Sequence, residues 1–321
     1  MGFFDTILWP FQFVVTWILR ICHEILTAIG LNETSGWNWT LSIVLLVLLI
    51  RAALIPVFVK QIKAQRAMQA LQPDLRKLQA KYKGKKDQLS QQAMLAEQRE
   101  LFKRHKTNPL SSCLPLLIQM PFFFALFHSL NNARGASENE EGIGQLTVTQ
   151  THHFADSSIF GAGLSDTFLG TFNSGSPQIS VILISVVMIL AMVASQFITQ
   201  KQIMTKNMTK EALEGPFMQQ QKMMLYILPL VFGIGGINFP IGVLIYWTAT
   251  NLWTLGQQYW IIRNNPTPGS QAERELNERR AAKGLPPIHE KKKKAEEETP
   301  EEPELPKVQR SQPQRKNRRK K

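Results

Sequence analysis

Long apolar runs separated by charged segments dominate this sequence. Three of the runs, residues 39–59, 110–129 and 179–198, are mostly apolar, and each has the length of about 20 residues at which a helix crosses the hydrocarbon core of a membrane. The apolar residues of a soluble domain recur at helical or alternating spacing instead. The pattern therefore predicts three membrane spans.

A fourth apolar run, residues 223–262, is about twice as long as the others and would form a helix of about 60 Å if it were continuous. Residues that stop a helix interrupt it near its middle. The run therefore predicts two helices, 223–238 and 240–262. With the first three runs they give an all-α, polytopic membrane protein with a core of five transmembrane helices over residues 39–262. The interrupting residues are Gly233, Gly235, Gly236, Asn238 and Pro240.

The N-terminal segment, residues 1–38, contains a further apolar stretch at 11–29 that carries a polar stripe. Its polar residues recur every three or four positions, so they share one face of a helix. This pattern favours an amphipathic helix that lies in the membrane interface. An additional span stays open as the alternative, provided that partner helices hide the stripe. The stripe consists of Gln12, Thr16, Arg20, His23, Glu24 and Thr27.

The charges lie between the runs and predict an orientation. Residues 60–106 carry 13 Lys and Arg against 4 Asp and Glu, whereas residues 131–177 carry one basic and five acidic residues. Basic loops stay in the cytoplasm, so the first loop is predicted to be cytoplasmic and the loop 131–177 extracytoplasmic. Residues 201–222 and the tail from Arg263 are also basic, which places the C-terminus in the cytoplasm. Most of the net charge of +13 therefore lies on the predicted cytoplasmic side.

The cytoplasmic segment 60–107 shows apolar residues at helical spacing on both sides of a Lys-Gly-Lys turn at residues 83–85. It predicts a basic helical hairpin, with a disordered charged loop as the weaker alternative. The tail 263–321 is rich in Pro, Glu, Lys and Arg and is predicted to be disordered. In the loop 131–177, His152 and His153 have no cysteine or clustered carboxylate at ligand spacing, so no metal site is predicted.

Arg51 is the most informative residue, because it lies inside the first span. Nine residues separate it from Lys60, which puts it about 13 Å from the cytoplasmic boundary if the helix is continuous. An arginine at this depth costs about 2.5–3.5 kcal/mol. An acidic partner on another helix would offset that cost, but none of the five spans contains Asp or Glu. A hydrated polar cavity around Arg51 is the better interpretation.

Polar residues on other spans predict the rest of this groove. Gln119 is in the middle of the second span, and Gln196 is in the third. Polar residues of the fifth span recur at three- and four-residue spacing, as on one face of a helix. Interhelical hydrogen bonding, worth about 0.6 kcal/mol per bond, is the simpler alternative for the Thr and Ser residues. The fifth-span residues are Trp247, Thr250, Asn251, Thr254, Gln257 and Gln258.

The sequence contains no catalytic motif, no phosphate-binding glycine loop and no pair of carboxylates within a span. We therefore predict that the protein is not an enzyme and needs no cofactor. A transporter or channel is the main rival interpretation, but the two halves of the core show no internal repeat. A membrane anchor for RNA binding would explain the basic tail but not Arg51.

Four stretches of the sequence resemble the YidC family of membrane insertases in the Oxa superfamily, in its Gram-positive or actinobacterial form. The resemblance covers roughly residues 4–263, and the stretch in the second span is the most specific. The stretches are Ile50-Arg51 with Pro56; Met68-Gln69-Ala70-Leu71-Gln72-Pro73; Asn108-Pro109-Leu110 with residues 113–121, Cys-Leu-Pro-Leu-Leu-Ile-Gln-Met-Pro; and Phe239-Pro240-Ile241-Gly242 with Tyr246-Trp247, Asn251-Leu252 and Gln257-Gln258.

The resemblance implies a groove that is open to the cytoplasm and to lipid and closed on the outside, in the cell membrane of a bacterium. Arg51 would recruit the hydrophilic part of a nascent membrane protein, and Tyr246 and Trp247 would line the groove. The implied partners are nascent membrane proteins, the Sec translocon, anionic lipids and the ribosome, reached through the hairpin and the tail, and no nucleotide is hydrolysed. A basic run at the end of the tail suits ribosomal RNA, although a solvated charge run is the equal alternative. This run comprises Arg315, Lys316, Arg318, Arg319, Lys320 and Lys321.

Overall fold

A computed structural model describes residues 3–105, 107–108, 114–173, 175–214 and 216–288. The chain divides into two compact units, residues 1–276 and 277–321. The basic run at 315–321 lies outside the described residues, as do residues 110–113 of the second predicted span. The helices are α1 (Phe3–Ala28), α2 (Gly36–Ala53), α3 (Ile55–Ala70), α4 (Gln72–Lys81), α5 (Gln88–Arg104), α6 (Leu114–Glu138), α7 (Val148–Asp156), α8 (Phe168–Asn173), α9 (Ile179–Lys206), α10 (Lys210–Glu214), α11 (Pro216–Gly236), α12 (Ile241–Asn264) and α13 (Gln271–Ala281), and the strands are β1 (Ser158–Ile159) and β2 (Ala162–Gly163).

The described chain is mostly helical with one short pair of strands, which confirms the all-α class. Three of its helices are long and apolar enough to cross a membrane, at Thr6–Ala28, Gly36–Ala53 and Ile179–Lys206, and Gln221–Gly236 is a shorter apolar helix. The predicted interruption of the last apolar run falls between α11 and α12. The count of five spans stays a prediction.

Part of the polar stripe of α1 faces the protein, whereas Glu24 is exposed. Thr16 and His23 are almost fully buried, and the Asn38 side-chain amide of α2 donates to the Thr27 hydroxyl at 2.8 Å. The opposite face of α1 is apolar, with Trp9 and Trp17 about half exposed. Burial of these stripe residues against partner helices is the condition under which α1 could span the membrane. The interfacial position of α1 stays a prediction.

The main core lies where α2 and α6 each pack against α1 and α12. Trp39, Ile43 and Leu46 of α2 are fully buried in it, together with Leu126 and Leu130 of α6. The apolar runs that the sequence shows as spans therefore also provide the contacts that hold the helices together, through close packing of their apolar faces.

The sequence predicts no metal site in the loop 131–177. In the structure, the loop has a defined architectural role. It folds into α7, the β1–β2 pair and α8. The backbone oxygen of Asp166 accepts from the Ile241 amide at 2.9 Å, and that of Leu164 accepts from the Gly242 amide at 2.9 Å. The first N–H groups of a helix have no partner within the helix. The loop supplies partners to two of them and so closes the start of α12.

Helices α4 and α5 pack against each other. They are connected by a turn in which Gly84 adopts a φ of 86°, a conformation that suits glycine. Three side chains tie the helices together: the Lys81 ammonium lies 2.6 Å from a Glu97 carboxylate oxygen, and the Tyr82 hydroxyl donates to the same carboxylate at 2.8 Å.

This contact is expected to depend on pH. The hydrogen bond from Lys81 holds the pKa of Glu97 below its ordinary value of 4.5, and the same bond raises the pKa of Lys81 above 10.5. The Glu97 contribution is complete above pH 4.5 and is lost as the pH falls through the lowered pKa, whereas that of Lys81 is lost as the pH rises through the raised pKa. Paramagnetic distance measurements between α4 and α5 should therefore show full contact between these limits and separation as the pH falls through the lowered pKa of Glu97.

The matched test at neutral pH compares Glu97→Gln with Glu100→Gln. Glu100 lies on the same helix, and among the described residues its ion pair is with Arg104 one turn away. We expect Glu97→Gln to speed tryptic cleavage at Lys85 and Lys86 by about two- to fivefold, as befits an exposed ion pair, and Glu100→Gln to leave it unchanged. Equal rates for both variants would show that the Glu97 contact does not hold the helices together.

The predicted disorder from residue 263 does not fit residues 265–276, which we call the C-terminal strap. The Arg66 guanidinium of α3 donates to the backbone oxygen of Asn265, and the Thr267 amide donates to the Asn207 side chain at 2.9 Å. Lys206 pairs with Glu275 at 3.5 Å. The polar composition suggested disorder, but the strap is held by hydrogen bonds to distant segments that composition does not reveal.

In the second unit, the described residues are 277–288. They complete α13 and then turn back, so that the Ile288 amide donates to the Asn277 side chain at 2.9 Å and the Arg280 guanidinium donates to the Pro286 carbonyl at 2.8 Å.

Candidate functional site

Arg51 lies in the last turn of α2, which ends at Ala53. The first span is therefore not one continuous helix over 39–59, and the depth of Arg51 cannot be counted from Lys60. Pro56 explains the break, because it has no N–H to donate and restricts the residue before it. The position also suits a cation, since the C-terminal end of a helix carries partial negative charge.

The Arg51 side chain is buried, with 7% of its surface exposed. Its guanidinium carbon lies 5.0 Å from the centre of the Phe58 ring of α3, within the range of a cation–π interaction. Its Nε atom has no hydrogen-bond partner within the described ranges, and no carboxylate there lies within 4 Å of it. A buried cation in this state needs a polar partner beyond the described residues.

Two other predicted residues lie at the same place. Tyr246 of α12 is 2% exposed and close enough to Arg51 for an electrostatic interaction. The Gln119 amide of α6 donates a hydrogen bond to the Tyr246 hydroxyl. The structure thus brings Arg51, Gln119 and Tyr246 together from three helices, although the sequence separates Arg51 from Tyr246 by almost 200 residues.

Replacing Tyr246 by phenylalanine should leave the Gln119 amide without its acceptor. An unmade buried hydrogen bond of this kind lowers the free energy of unfolding by about 1 kcal/mol, measurable by denaturant unfolding in detergent. Tyr259→Phe on the exposed part of the same helix is the control, with an expected change within about 0.5 kcal/mol. Equal losses would mean that the Gln119 bond does not stabilise the site.

Trp247 lies in an aromatic cluster. Its ring centre is 4.5 Å from that of Phe232 and 4.8 Å from that of Phe123, and Phe239 stacks on it at 5.8 Å. Such pairs are favourable beyond their buried area. The cluster lies next to Tyr246 along α12, and the sequence hinted at it only through the Phe122-Phe123-Phe124 run.

The remaining predicted groove residues lie between α9 and α12. The Asn251 amide donates to the backbone oxygen of Met192 at 3.3 Å, and the Thr254 hydroxyl donates to the Thr250 backbone oxygen at 2.9 Å. The Asn251 bond joins α12 to α9 and fits the interhelical-packing alternative, whereas the Thr254 bond lies within α12. Gln196 Oε1 and Thr250 Oγ1 are buried without a partner in the described structure. Among the described residues, no hydrogen bond or ion pair joins Arg51 to Asn251, Thr254, Gln196 or Thr250.

Phe58 is a site residue that the sequence did not reveal. It is 92% buried against Arg51 across the break at Leu54, and helical spacing cannot be carried across such a break. Elsewhere, the described ranges contain no group of three or more His, Cys, Asp and Glu residues suited to a metal ion. His152 instead shares a 2.8 Å hydrogen bond with the Ser137 hydroxyl.

The fold and the site define a helical membrane protein whose helices enclose a buried arginine. The model of the 60Kd inner membrane protein family matches residues 30–268. The chain belongs to this family, the YidC family, and is a bacterial membrane protein.

Relatives named membrane protein insertase YidC match most of the chain. The relative from Streptomyces avermitilis is 47% identical. The match covers 86% of this chain and 63% of the length of that protein. The Tropheryma whipplei relative is 40% identical over 84% of this chain and 88% of its own. The Bifidobacterium longum relative is 33% identical, and the match covers 99% of this chain and 96% of that protein.

A solved structure, described as an active YidC insertase with its first transmembrane domain resolved, is 23% identical with a TM-score of 0.45. The match covers 81% of this chain and 47% of that one.

Proposed function

We propose that this protein inserts nascent membrane proteins into the bacterial cell membrane and helps them fold. The observation that carries the proposal is the buried guanidinium of Arg51, which meets Tyr246 and Phe58 but no carboxylate of the described chain. An uncompensated cation is costly to retain in a membrane helix, and a passing polypeptide with acidic or polar residues provides the missing partner.

The proposed mechanism is electrostatic and needs no nucleotide hydrolysis. A carboxylate about 4 Å from the guanidinium gains about 4 kcal/mol at the effective dielectric constant of a protein site. That gain is comparable with the cost of about 2.5–3.5 kcal/mol for a charged residue at the centre of a membrane helix. The polar segment of the substrate would cross beside Arg51, Gln119 and Tyr246 while its apolar segment enters the lipid.

The proposed orientation follows the distribution of basic loops. Helices α3 to α5, the α9–α10 connection and the C-terminus are cytoplasmic, and the loop 131–177 is extracytoplasmic. The basic surface of α4 and α5 would receive nascent chains and meet the ribosome, the Sec translocon and anionic lipids. The run Arg315–Arg319 with Lys320 and Lys321 is proposed to assist ribosome contact through phosphate neutralisation.

The decisive experiment uses liposomes that contain only the purified chain, without nucleotide. A small Sec-independent membrane protein is added, and protease protection measures the crossing of its polar segment. We expect protection above that of empty liposomes. Loss of protection together with measurable flux of small anions would refute the insertase and support a transporter or channel.

A further inference from the structure

A second feature of the structure is a cleft between α3 and α12, with a volume of about 710 Å³. Phe58 and Ile62 form one wall, and Leu252, Trp253 and Trp260 form the other. The cleft runs from Ile55 to Arg66 along α3, a length of about 16 Å at the helical rise. Its walls are mainly apolar, and its polar groups are concentrated at one end.

Two cations lie at that end. Lys63 is exposed and Arg66 is half-buried, and burial lowers the pKa of the Arg66 guanidinium. Arg66 donates to the side chain and backbone oxygens of Asn265, which are neutral acceptors. Its Nε atom is buried without a partner, and no carboxylate of the described residues pairs with Lys63 or Arg66. This end of the cleft therefore lacks a negative charge.

The walls offer little to a polypeptide backbone. The Gln257 side-chain oxygen accepts from the Trp253 indole at 3.0 Å, so this acceptor and this donor are already paired. An extended peptide would bring an unpaired amide into the cleft at every residue, and exposed amides need partners in an apolar medium. An acyl chain brings none. Charge at one end and hydrocarbon walls along the rest match an amphiphile.

We propose that the cleft binds an anionic glycerophospholipid of the cytoplasmic leaflet. Its phosphate would lie at Lys63 and Arg66, where charge-assisted hydrogen bonds to the guanidinium are strong, and an acyl chain would lie along Phe58, Leu252 and Trp260. The choice of leaflet rests on the orientation proposed above. Phe58 forms a wall of the cleft and also contacts Arg51, so a bound lipid would lie directly behind the arginine site.

Gly256 provides a steric test. It lines the cleft, and a Cβ atom built on it would meet nothing within 4 Å. Gly256→Leu should therefore fill the cleft without disturbing α12, in which leucine is the better helix former. Gly135→Leu on α6 is the matched control, because a Cβ at Gly135 also meets nothing within 4 Å.

The experiment places the full chain in phosphatidylcholine nanodiscs with a trace of diazirine-labelled phosphatidylglycerol or, separately, phosphatidylcholine with the same labelled chain. After illumination, mass spectrometry locates the labelled peptides. We expect phosphatidylglycerol to label 55–66 and 252–265 preferentially, Lys63→Gln and Arg66→Gln each to reduce this labelling by about fivefold, and Lys60→Gln on the same helix to leave it unchanged. Gly256→Leu should abolish it, and Gly135→Leu should not.

Equal labelling by the two lipids would overturn the proposal, and so would labelling that survives Gly256→Leu. Cross-links from a photoreactive residue at Trp253 to a nascent substrate, in the absence of lipid labelling, would assign the cleft to a polypeptide instead. The lipid experiment contains no substrate and no insertion step, so its failure is separate from a failure of the insertase proposal.

Discussion

Replacing Arg51 by alanine is expected to reduce the insertion of substrates with an acidic translocated segment by about 30-fold, because a net interaction of about 2 kcal/mol is lost once the desolvation of the carboxylate is set against its Coulomb gain of about 4 kcal/mol. Arg51→Lys should keep most of the activity, since the proposed mechanism needs the positive charge more than the guanidinium geometry. Insertion into proteoliposomes, measured by protease protection at matched protein levels, provides the comparison.

The substrate supplies the sharpest control for this prediction. When the acidic residues of its translocated segment are replaced by Asn and Gln, the wild-type protein and Arg51→Ala should insert it equally. Lys60→Ala, which removes an exposed cation nine residues away, should have no effect on either substrate. If lysine fails as completely as alanine, Arg51 acts through a specific hydrogen bond and not through its charge.

Stability gives a second readout for Arg51→Ala. The buried guanidinium has no carboxylate partner among the described residues, so removing it takes away a desolvation cost as well as the contact with Phe58. The thermal unfolding midpoint should therefore stay close to that of the wild type. A large fall would mean that Arg51 serves the fold more than the substrate.

Gly36→Ala should be strongly destabilising, by about 3 kcal/mol or more. Gly36 is the first residue of α2, and a Cβ atom there would lie 1.9 Å from the backbone oxygen of Ser158 and 2.7 Å from its nitrogen. Because these are backbone atoms of β1, no side-chain rotation can relieve the clash. The change would push the β1–β2 pair away from α2, and thermal unfolding followed by tryptophan fluorescence should show it.

Gly135→Ala is the matched control for this second prediction. Gly135 is helical like Gly36, but a Cβ atom there meets nothing within 4 Å. Alanine should therefore be neutral or stabilise α6 by about 0.5–1 kcal/mol, as glycine is a poor helix residue. If both variants unfold at the same temperature, the contact between Gly36 and Ser158 does not limit stability.

The sequence revealed the membrane class because the apolar runs are local signals. A run of about 20 apolar residues has few structural solutions other than a membrane helix. Arg51 was equally readable, since a charge within such a run is conspicuous. Its proximity to Gln119 and Tyr246 was a hypothesis that the structure makes concrete, while the role of the three residues stays a prediction.

Features that depend on distant backbone contacts were not readable. The C-terminal strap looks like a disordered tail by composition, yet Arg66, Asn207 and Lys206 hold it. The position of Phe58 beside Arg51 could not be inferred from the sequence. The break at Leu54 interrupts the helical periodicity by which residues are assigned to a face. In the loop 131–177, the short polar segments do not indicate which two backbone carbonyls accept hydrogen bonds from the start of α12.

Those two carbonyls also bear on how the loop can change during evolution. Leu164 and Asp166 accept from Ile241 and Gly242 through backbone oxygens, which every amino acid carries. Most side-chain substitutions at these two positions leave the acceptors in place, whereas one inserted or deleted residue moves them out of register with α12. Leu164 is fully buried and the Asp166 carboxylate pairs with Arg134, so relatives should retain these two residue types for their side chains and the spacing to the β1–β2 pair for their carbonyls.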